Sequence, residues 1–178
     1  MSEEKKEPWL NYLALTTVIL AVCATLATFK GGGFSTRAVM SQSQASDQWA
    51  FFQAKSVKQN LYEVERVQLD LERKALPAST PAAVLAAFDA RVQDCDQRVA
   101  RYDKEKGEEG AKAKTLEKNR DEAQHHGYFF GIAVIFLQIS ILLSSIAALL
   151  KKKPVWILGV AVGLIGVVYF ANGFWLFF

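Results

Sequence analysis

The sequence predicts an all-α membrane protein: three transmembrane helices with a long extramembrane antiparallel coiled-coil helical hairpin between the first and second spans. Three observations favour this fold class. The chain is 51% hydrophobic, and its apolar residues are concentrated in three blocks. The two blocks nearest the C-terminus contain no charged residue and no histidine. The polar segment after the first block carries apolar residues at heptad spacing, which is typical of paired helices.

The three apolar blocks have the length of membrane-spanning helices, which need ~20 apolar residues. Residues 9–29 form the first predicted span, after an N-terminal tail of residues 1–8. Residues 127–150 and 154–178 form the second and third spans, and a basic turn of residues 151–153 joins them. An N-terminal apolar block is also typical of a cleaved signal peptide. This block is longer than the apolar region of a typical signal peptide, so we expect it to be retained.

The polar segment 30–126 is predicted to form the coiled-coil hairpin domain. It begins with Gly31–Gly33, a triplet that indicates a swivel or a break in the helix because glycine has high backbone freedom. A turn is expected over residues 76–81, since Pro77 and Pro81 disfavour helical geometry in the residues before them.

Two heptad seams predict which faces of the hairpin helices pair, because residues in steps of three and four share one helix face. On the first leg these residues are Ala50, Ala54, Val57, Leu61, Val64, Leu71 and Ala75. On the second leg they are Leu85, Phe88, Val92, Cys95, Val99 and Tyr102. We expect the two sets to be buried against each other.

A glycine-flanked stretch, residues 107–110, interrupts the second leg. Residues 35–75 would reach about 61 Å as a helix, whereas residues 81–106 would reach only about 39 Å. Residues 111–126 would add about 24 Å and make the two legs match. The lengths therefore favour a kink at 107–110 within one descending leg. The alternative is a shorter three-helix cluster near the membrane.

The distribution of positive charge predicts the orientation of the chain, because short cytoplasmic loops are enriched in Lys and Arg. The turn 151–153 is Lys-Lys-Lys and belongs in the cytoplasm. The N-terminus, with Lys5 and Lys6, is then also cytoplasmic, and the hairpin is extracytoplasmic. Other basic residues flank the spans on the hairpin side and oppose this orientation: Lys30, Arg37, Lys118 and Arg120.

Small and polar residues inside the spans are candidates for helix contacts. Gly159, Gly163 and Gly166 are spaced so that two backbones could approach closely, and they predict an oligomer interface. The alternative is that these glycines let the third span pack on the second within one chain. Gln138 and Asn172 are intramembrane polar residues, and uncharged polar groups at such depths usually bond across helices.

The polar segment contains two further candidates. Trp49, Phe51 and Phe52 form an aromatic cluster that could contact a protein partner or the membrane surface, or could pack within the hairpin. Cys95 occupies a seam position, which favours a small core residue over a reactive thiol. In an oxidising compartment it could instead form a bridge to the same residue of a second subunit.

No catalytic, metal or cofactor site is predicted. His125 and His126 stand four residues after Asp121 and Glu122, and an ordinary polar interface is favoured over a metal site. The chain contains no phosphate loop, nucleophile elbow, HExxH or CxxC motif, so an enzyme is not expected. Its 21 basic and 18 acidic residues nearly balance, which gives no reason to expect nucleic acid as a partner.

Three stretches carry a resemblance to a known family. The first span is followed by Lys30-Gly31-Gly32-Gly33, then by Gln44-Ala45-Ser46-Asp47-Gln48-Trp49 and Ala54-Lys55-Ser56. This pattern resembles a family of small bacterial membrane proteins classed as a domain of unknown function. The resemblance covers essentially the whole chain. It implies a multi-pass protein of the bacterial inner membrane, and it supplies no catalytic residues.

These observations together predict an oligomeric membrane scaffold. Its partners would be the lipid bilayer, further copies of the same chain and a protein bound through the projecting coiled coil. The alternative is a subunit of a homo-oligomeric channel or transport assembly, with an uncharged pore lined by Gln138, Asn172 or the threonines of the first span. A proton-coupled transporter is not favoured, because such proteins usually carry ionisable residues within their spans.

Overall fold

Helix dominates the structure, a computed structural model that describes residues 8–177. These described residues are 94% helical and contain three helices and no strands. Helix α1 spans Pro8–Ala75, α2 spans Ala82–Leu150 and α3 spans Lys153–Trp175. The all-α class predicted from the sequence is confirmed.

Each of these helices contains a stretch that is long and apolar enough to cross a bilayer. In α1 this stretch lies near the N-terminus. A helix satisfies its own backbone N–H and C=O groups, which is a requirement in hydrocarbon because no water is present there. The number of these stretches agrees with the three predicted spans, and their length and composition indicate a membrane protein.

The predicted break at Gly31–Gly33 is wrong, because α1 continues through all three glycines. Glycine costs a helix interior only about 1 kcal/mol relative to alanine, which a long helix can tolerate. Gly31 is also used for packing: a Cβ added there would lie 3.1 Å from the Cβ of Phe130 on α2. Glycine at this position allows a close approach of α1 and α2 instead of interrupting α1.

Residues 76–81 connect α1 to α2 through a tight turn. The Thr80 N–H donates to the Pro77 carbonyl at 3.0 Å, and the Thr80 hydroxyl donates to the same oxygen at 2.7 Å. The Pro81 carbonyl accepts the first hydrogen bonds of α2. Both prolines therefore lie where a missing N–H costs no helical hydrogen bond.

The connection between α2 and α3 is shorter still. Lys151 has a φ of 51°, in the left-handed region, and the Lys152 N–H donates to the Ala147 carbonyl at 3.2 Å. This is the pattern of a Schellman motif, which ends a helix by satisfying its last carbonyls. Pro154 then lies in the first turn of α3, where proline is favoured.

The chain divides into two compact units. The first contains the residues up to Met40 and those from Asn119 onward, and we call it the membrane unit because it contains the three apolar stretches. The second contains Ser41–Lys118, and we call it the polar unit.

The core of the membrane unit is built from small residues and a few large ones. In hydrocarbon, helices associate through close packing and polar contacts, because burying an apolar side chain there removes no water. Small residues on facing helices allow this close packing. Two clusters form the core: Ala27, Phe130 and Ala133 in one, and Leu20, Ala24 and Leu137 in the other.

In the polar unit, α1 and α2 pack together. The residue number falls along α2 as it rises along α1 in three well-separated contacts: Trp49 with Glu117, Tyr62 with Tyr102, and Arg73 with Asp89. The predicted seam of α2 lies on the covered side. Cys95 is fully buried, and the other members are half-buried: Leu85, Phe88, Val92, Val99 and Tyr102.

The predicted seam of α1 is wrong. Val57, Leu61, Val64 and Leu71 are between 59% and 66% exposed, and Ala50, Ala54 and Ala75 are also exposed. Helix α1 turns a neighbouring face towards α2. That face carries aromatic and long polar side chains, which cover α2 with their stems while their ends form hydrogen bonds and ion pairs. Its main contact residues are Trp49, Phe52, Lys55, Gln59, Tyr62 and Arg73.

Candidate interaction surfaces

An apolar stripe runs along the outer side of α1 in the polar unit. It consists of Val57, Leu61, Val64 and Leu71, and we call these four residues the α1 stripe. Val67, which is 54% exposed, lies beside it. Full burial of such a side chain contributes about 1.5–3 kcal/mol. A row of four left open at heptad spacing therefore marks a surface that could gain substantially from a partner.

Charged side chains hold the face of α1 that packs on α2. The sequence predicts an apolar seam at this contact instead. The Arg101 guanidinium donates to Glu105 at 2.6 Å, and Lys55 of α1 forms an ion pair with the same carboxylate. These two hydrogen bonds, first from Arg101 and then from Lys55, lower the pKa of Glu105 to about 2. Glu105 therefore stays ionised over the physiological range and links α1 to α2.

Cys95 is a core residue of the polar unit. Its side chain is fully buried, and burial raises the pKa of its thiol. The neighbouring carboxylate Glu65 acts in the same direction, and Arg91 opposes it. A raised pKa leaves less thiolate, which is the reactive form. A bridge to a second subunit, the alternative considered for Cys95, would require this buried side chain to become accessible.

The aromatic cluster of the polar unit is divided by the fold. Trp49 and Phe52 form an edge-to-face pair at 5.4 Å, whereas Phe51 points outward and is 55% exposed. The ring of Phe52 rests on Gly110, where an added Cβ would lie 3.3 Å from the ring. Residues 107–110, which include Gly110, are part of the continuous helix α2. Packing within the unit thus accounts for two of the three aromatic residues, and Phe51 remains a candidate contact.

The glycines of α3 face inward within one chain. An added Cβ at Gly163 would lie 2.7 Å from the Ser140 hydroxyl oxygen, and one at Gly166 would lie 2.9 Å from Leu137. The Ser140 hydroxyl also donates to the Gly159 carbonyl at 2.6 Å. Within one chain, α2 therefore covers this glycine face. The alternative, that the glycines let the third span pack on the second, describes the observed contact.

The two intramembrane amides have different surroundings. Asn172 is fully buried, and its side-chain oxygen accepts the Phe177 N–H at 2.6 Å. Its main-chain carbonyl accepts the Leu176 N–H at 2.8 Å, so Asn172 helps to end α3. Gln138 is exposed on the outer side of α2. One amide is thus used within the chain, and the other points away from it.

The threonines of the first span bond to their own helix. The hydroxyl of Thr17 donates to the Leu13 carbonyl at 2.8 Å, and that of Thr28 donates to the Ala24 carbonyl at 2.9 Å. Thr16 and Thr25 form similar bonds. Their hydroxyl protons are therefore not directed at a pore. Of the residues considered as a pore lining, Gln138 is the one whose amide points outward.

His126 joins α2 to the end of α3. Its Nδ1 lies 2.7 Å from the Gly173 carbonyl oxygen, and Phe34 stacks on its ring at 4.5 Å. His125 is exposed. Within residues 8–177 no group of three His, Cys, Asp or Glu side chains could hold a metal ion.

Two groups of contacts were not predicted from the sequence. One is the set of charge pairs between α1 and α2, such as Glu65 with Arg91 at 2.6 Å and Arg66 with Asp96 at 2.5 Å. A search for opposite charges across two antiparallel legs would have found them. The other is the close approach at Gly31, for which a lone glycine triplet gave no direct signal.

Comparison with known proteins identifies the family of the chain. Residues 9–176 match the family model described as a domain of unknown function, DUF4337. No curated protein matches the chain, and no solved structure matches it. The matched residues extend from the start of the first apolar stretch to just beyond the end of α3. The chain therefore belongs to the DUF4337 family, in agreement with the resemblance found in its sequence.

Proposed function

We propose that this protein is an oligomeric scaffold of the bacterial inner membrane that recruits a protein partner. In this proposal α1 and α2 of the polar unit form an antiparallel coiled-coil hairpin, and the α1 stripe binds an amphipathic helix of the partner. The observation that carries the proposal is the exposure of Val57, Leu61, Val64 and Leu71, which are apolar, at heptad spacing, and not covered by α2.

The spacing of the α1 stripe supports a helix as the occupant. Steps of three and four keep a row of side chains on one side of a helix, so that they can interlock with the side chains of a second helix lying along it. An extended peptide would pair with the edge of a β-sheet, and the described part of the chain contains no strand. A helix on the α1 stripe would convert a two-helix arrangement into a three-helix one.

Photocrosslinking along α1 in living cells would test the proposal. A photoreactive phenylalanine analogue at Leu61 or Val64 should yield one discrete adduct with a partner protein. The same analogue at Glu63, which is exposed on another face of the helix, serves as the matched control. A Val57→Asp substitution should abolish the adduct at Leu61, because a charge in the stripe opposes apolar contact. Equal adducts at Leu61 and Glu63, or adducts insensitive to Val57→Asp, would contradict the proposal.

The proposed orientation places the N-terminus in the cytoplasm and the polar unit outside it. The three lysines at 151–153 support this orientation. Ser79 is exposed in the turn between α1 and α2 and can carry a reporter cysteine. In a Cys23→Ala, Cys95→Ala background, Ser79→Cys should react with a membrane-impermeant maleimide on intact spheroplasts. Reaction after lysis alone would place the polar unit in the cytoplasm.

A further inference from the structure

Gln138 is a polar side chain inside an apolar stretch, and none of residues 8–177 forms a hydrogen bond to it. It lies midway between Gly127 and Leu150 on α2, and its side chain is exposed on the outer side of the membrane unit. No hydrogen bond to Gln138 occurs among the described residues. The exposed hydroxyls of Thr25 and Ser145 bond to carbonyls four residues earlier in their own helices, but the Gln138 amide does not.

An unpaired amide is costly in hydrocarbon. The side chain of glutamine carries two N–H donors and one carbonyl acceptor. Lipid tails offer neither a donor nor an acceptor, so an amide facing them loses the hydrogen bonds that it would form in water. Such side chains in membrane helices commonly form hydrogen bonds to another helix. In the part of the chain that the structure describes, α1 and α3 do not supply that bond.

The residues around Gln138 are suited to a close helix contact. Gly131 and Ser145 lie seven residues before and after it, and Ile135 and Leu142 lie between them. Ile135 is 57% exposed and Leu142 is 63% exposed. An added Cβ at Gly131 would meet no atom within 4 Å. We call these five residues the Gln138 face. Their steps of four and three place them on one side of α2.

We propose that the Gln138 face binds the Gln138 face of a second copy of this chain within the bilayer. The occupant follows from the chemistry of the amide, which is its own complement because each copy supplies both a donor and an acceptor. Around a two-fold axis along the membrane normal, parallel helices bring each residue of such a face close to its counterpart. The two Gln138 amides then form hydrogen bonds to each other, and Gly131 and Ser145 allow the backbones to approach.

This inference rests on the membrane location and deepens the oligomeric part of the proposed function. It does not involve the α1 stripe, which lies in the polar unit. The two surfaces can therefore be tested separately.

Disulfide crosslinking of the full chain in its membrane would test the geometry. In a Cys23→Ala, Cys95→Ala background, Gln138→Cys and Ser145→Cys should each yield a covalent dimer on mild oxidation. Val22→Cys on α1 and Ile157→Cys on α3 are matched controls, because both residues are apolar and more than half exposed. Dimers that form equally at Val22 would overturn the proposal. The absence of a covalent dimer at both Gln138→Cys and Ser145→Cys would also overturn it.

Energy transfer between labelled copies in liposomes would test the contribution of the amide. Gln138→Leu should raise the dissociation constant of the dimer by about 5- to 30-fold, the effect of losing an interhelical hydrogen bond. Gln138→Asn should preserve part of the affinity, because it keeps the amide. An unchanged dissociation constant in Gln138→Leu would overturn the proposal. In contrast, Val57→Asp should leave this constant unchanged, so that failure of the α1 stripe and failure of the Gln138 face can be distinguished.

Discussion

The polar unit contains two apolar heptad seams, one on α1 and one on α2, and they lie in opposite environments. On α2, Cys95 is fully buried and its heptad neighbours are half-buried, whereas Val64 on α1 is 66% exposed. The two seams have similar spacing, and both consist mainly of apolar residues. What differs is the neighbouring face: α1 has a second face with aromatic and charged side chains that match groups on α2. A heptad therefore indicates that a face is suited to a partner, but it does not identify which helix that partner is.

The need to pair polar groups explains which face of α1 packs on α2. It is the mixed face, which carries both aromatic and charged side chains. Tyr62 stacks on Tyr102 at 5.9 Å, and the indole N–H of Trp49 donates to Glu117 at 2.9 Å. If the α1 stripe packed on α2 instead, these groups would lose their partners. Long amphipathic side chains can cover apolar neighbours with their stems while their polar ends remain paired. The mixed face therefore provides packing and hydrogen bonds together.

The largest expected effect on stability comes from placing a charge in the heptad seam of α2, compared with a charge in the seam of α1. Cys95→Asp would bury an unpaired carboxylate and should reduce the free energy of unfolding of the polar unit by about 3 kcal/mol or more. Val64→Asp is the matched control at an exposed position, and it should change this free energy by no more than about 0.5 kcal/mol. Thermal unfolding of the full chain in detergent, followed by circular dichroism, measures both. Similar losses in the two variants would contradict the assigned faces.

The same comparison of a covered and an open position can be made with glycines of the membrane unit. Gly163→Ala should destabilise the unit by about 1–3 kcal/mol, because the new Cβ would lie 2.7 Å from the Ser140 hydroxyl oxygen. Gly33→Ala meets no atom within 4 Å and should stabilise α1 by about 0.5–1 kcal/mol. Unfolding in mixed micelles with increasing denaturing detergent would measure both changes. A stabilising Gly163→Ala would show that α3 does not pack on α2 in this way.

The smallest expected effect concerns the charges on the covered face of α1. Hydrogen bonds from Arg101 and Lys55 lower the pKa of Glu105 from its ordinary value of 4.5 to about 2. A lowered pKa contributes stability above the ordinary value, and this contribution is lost as the pH falls from about 5 towards 2. The free energy of unfolding of the polar unit should therefore decrease over this range. Glu105→Gln should make the decrease shallower, and an identical pH profile in this variant would contradict the assignment.

The element types were predictable because they depend on local chain properties. Long runs of apolar residues without charges predict membrane helices, since every backbone polar group in hydrocarbon must be paired within the helix. Pro77 and Pro81 likewise predict the turn between α1 and α2, because proline cannot continue a helix from those positions. The glycine triplet was misinterpreted, since glycine weakens a helix only slightly and Gly31 is needed for packing against Phe130.

The candidate surfaces were predictable only in part. The residues of the α1 stripe and the Gln138 amide were identified from the sequence, but the environment of each depends on how the helices rotate about their axes. The α3 glycines illustrate the difficulty. Their spacing indicates close helix packing in general, and it is the same whether the neighbour is α2 or a second copy. Within one chain, the neighbour of Gly163 is Ser140 of α2.

The sequence by itself determined the helical class, the three apolar stretches, the connecting turns and the membership of the DUF4337 family. These follow from composition and from the few residues that end a helix. The tertiary structure alone decided which face of each helix is covered. A helix presents several faces to its neighbours, and the choice among them depends on the simultaneous pairing of aromatic, charged and small residues from segments distant in sequence. That choice leaves Val64 and Gln138 exposed and Cys95 and Gly163 buried.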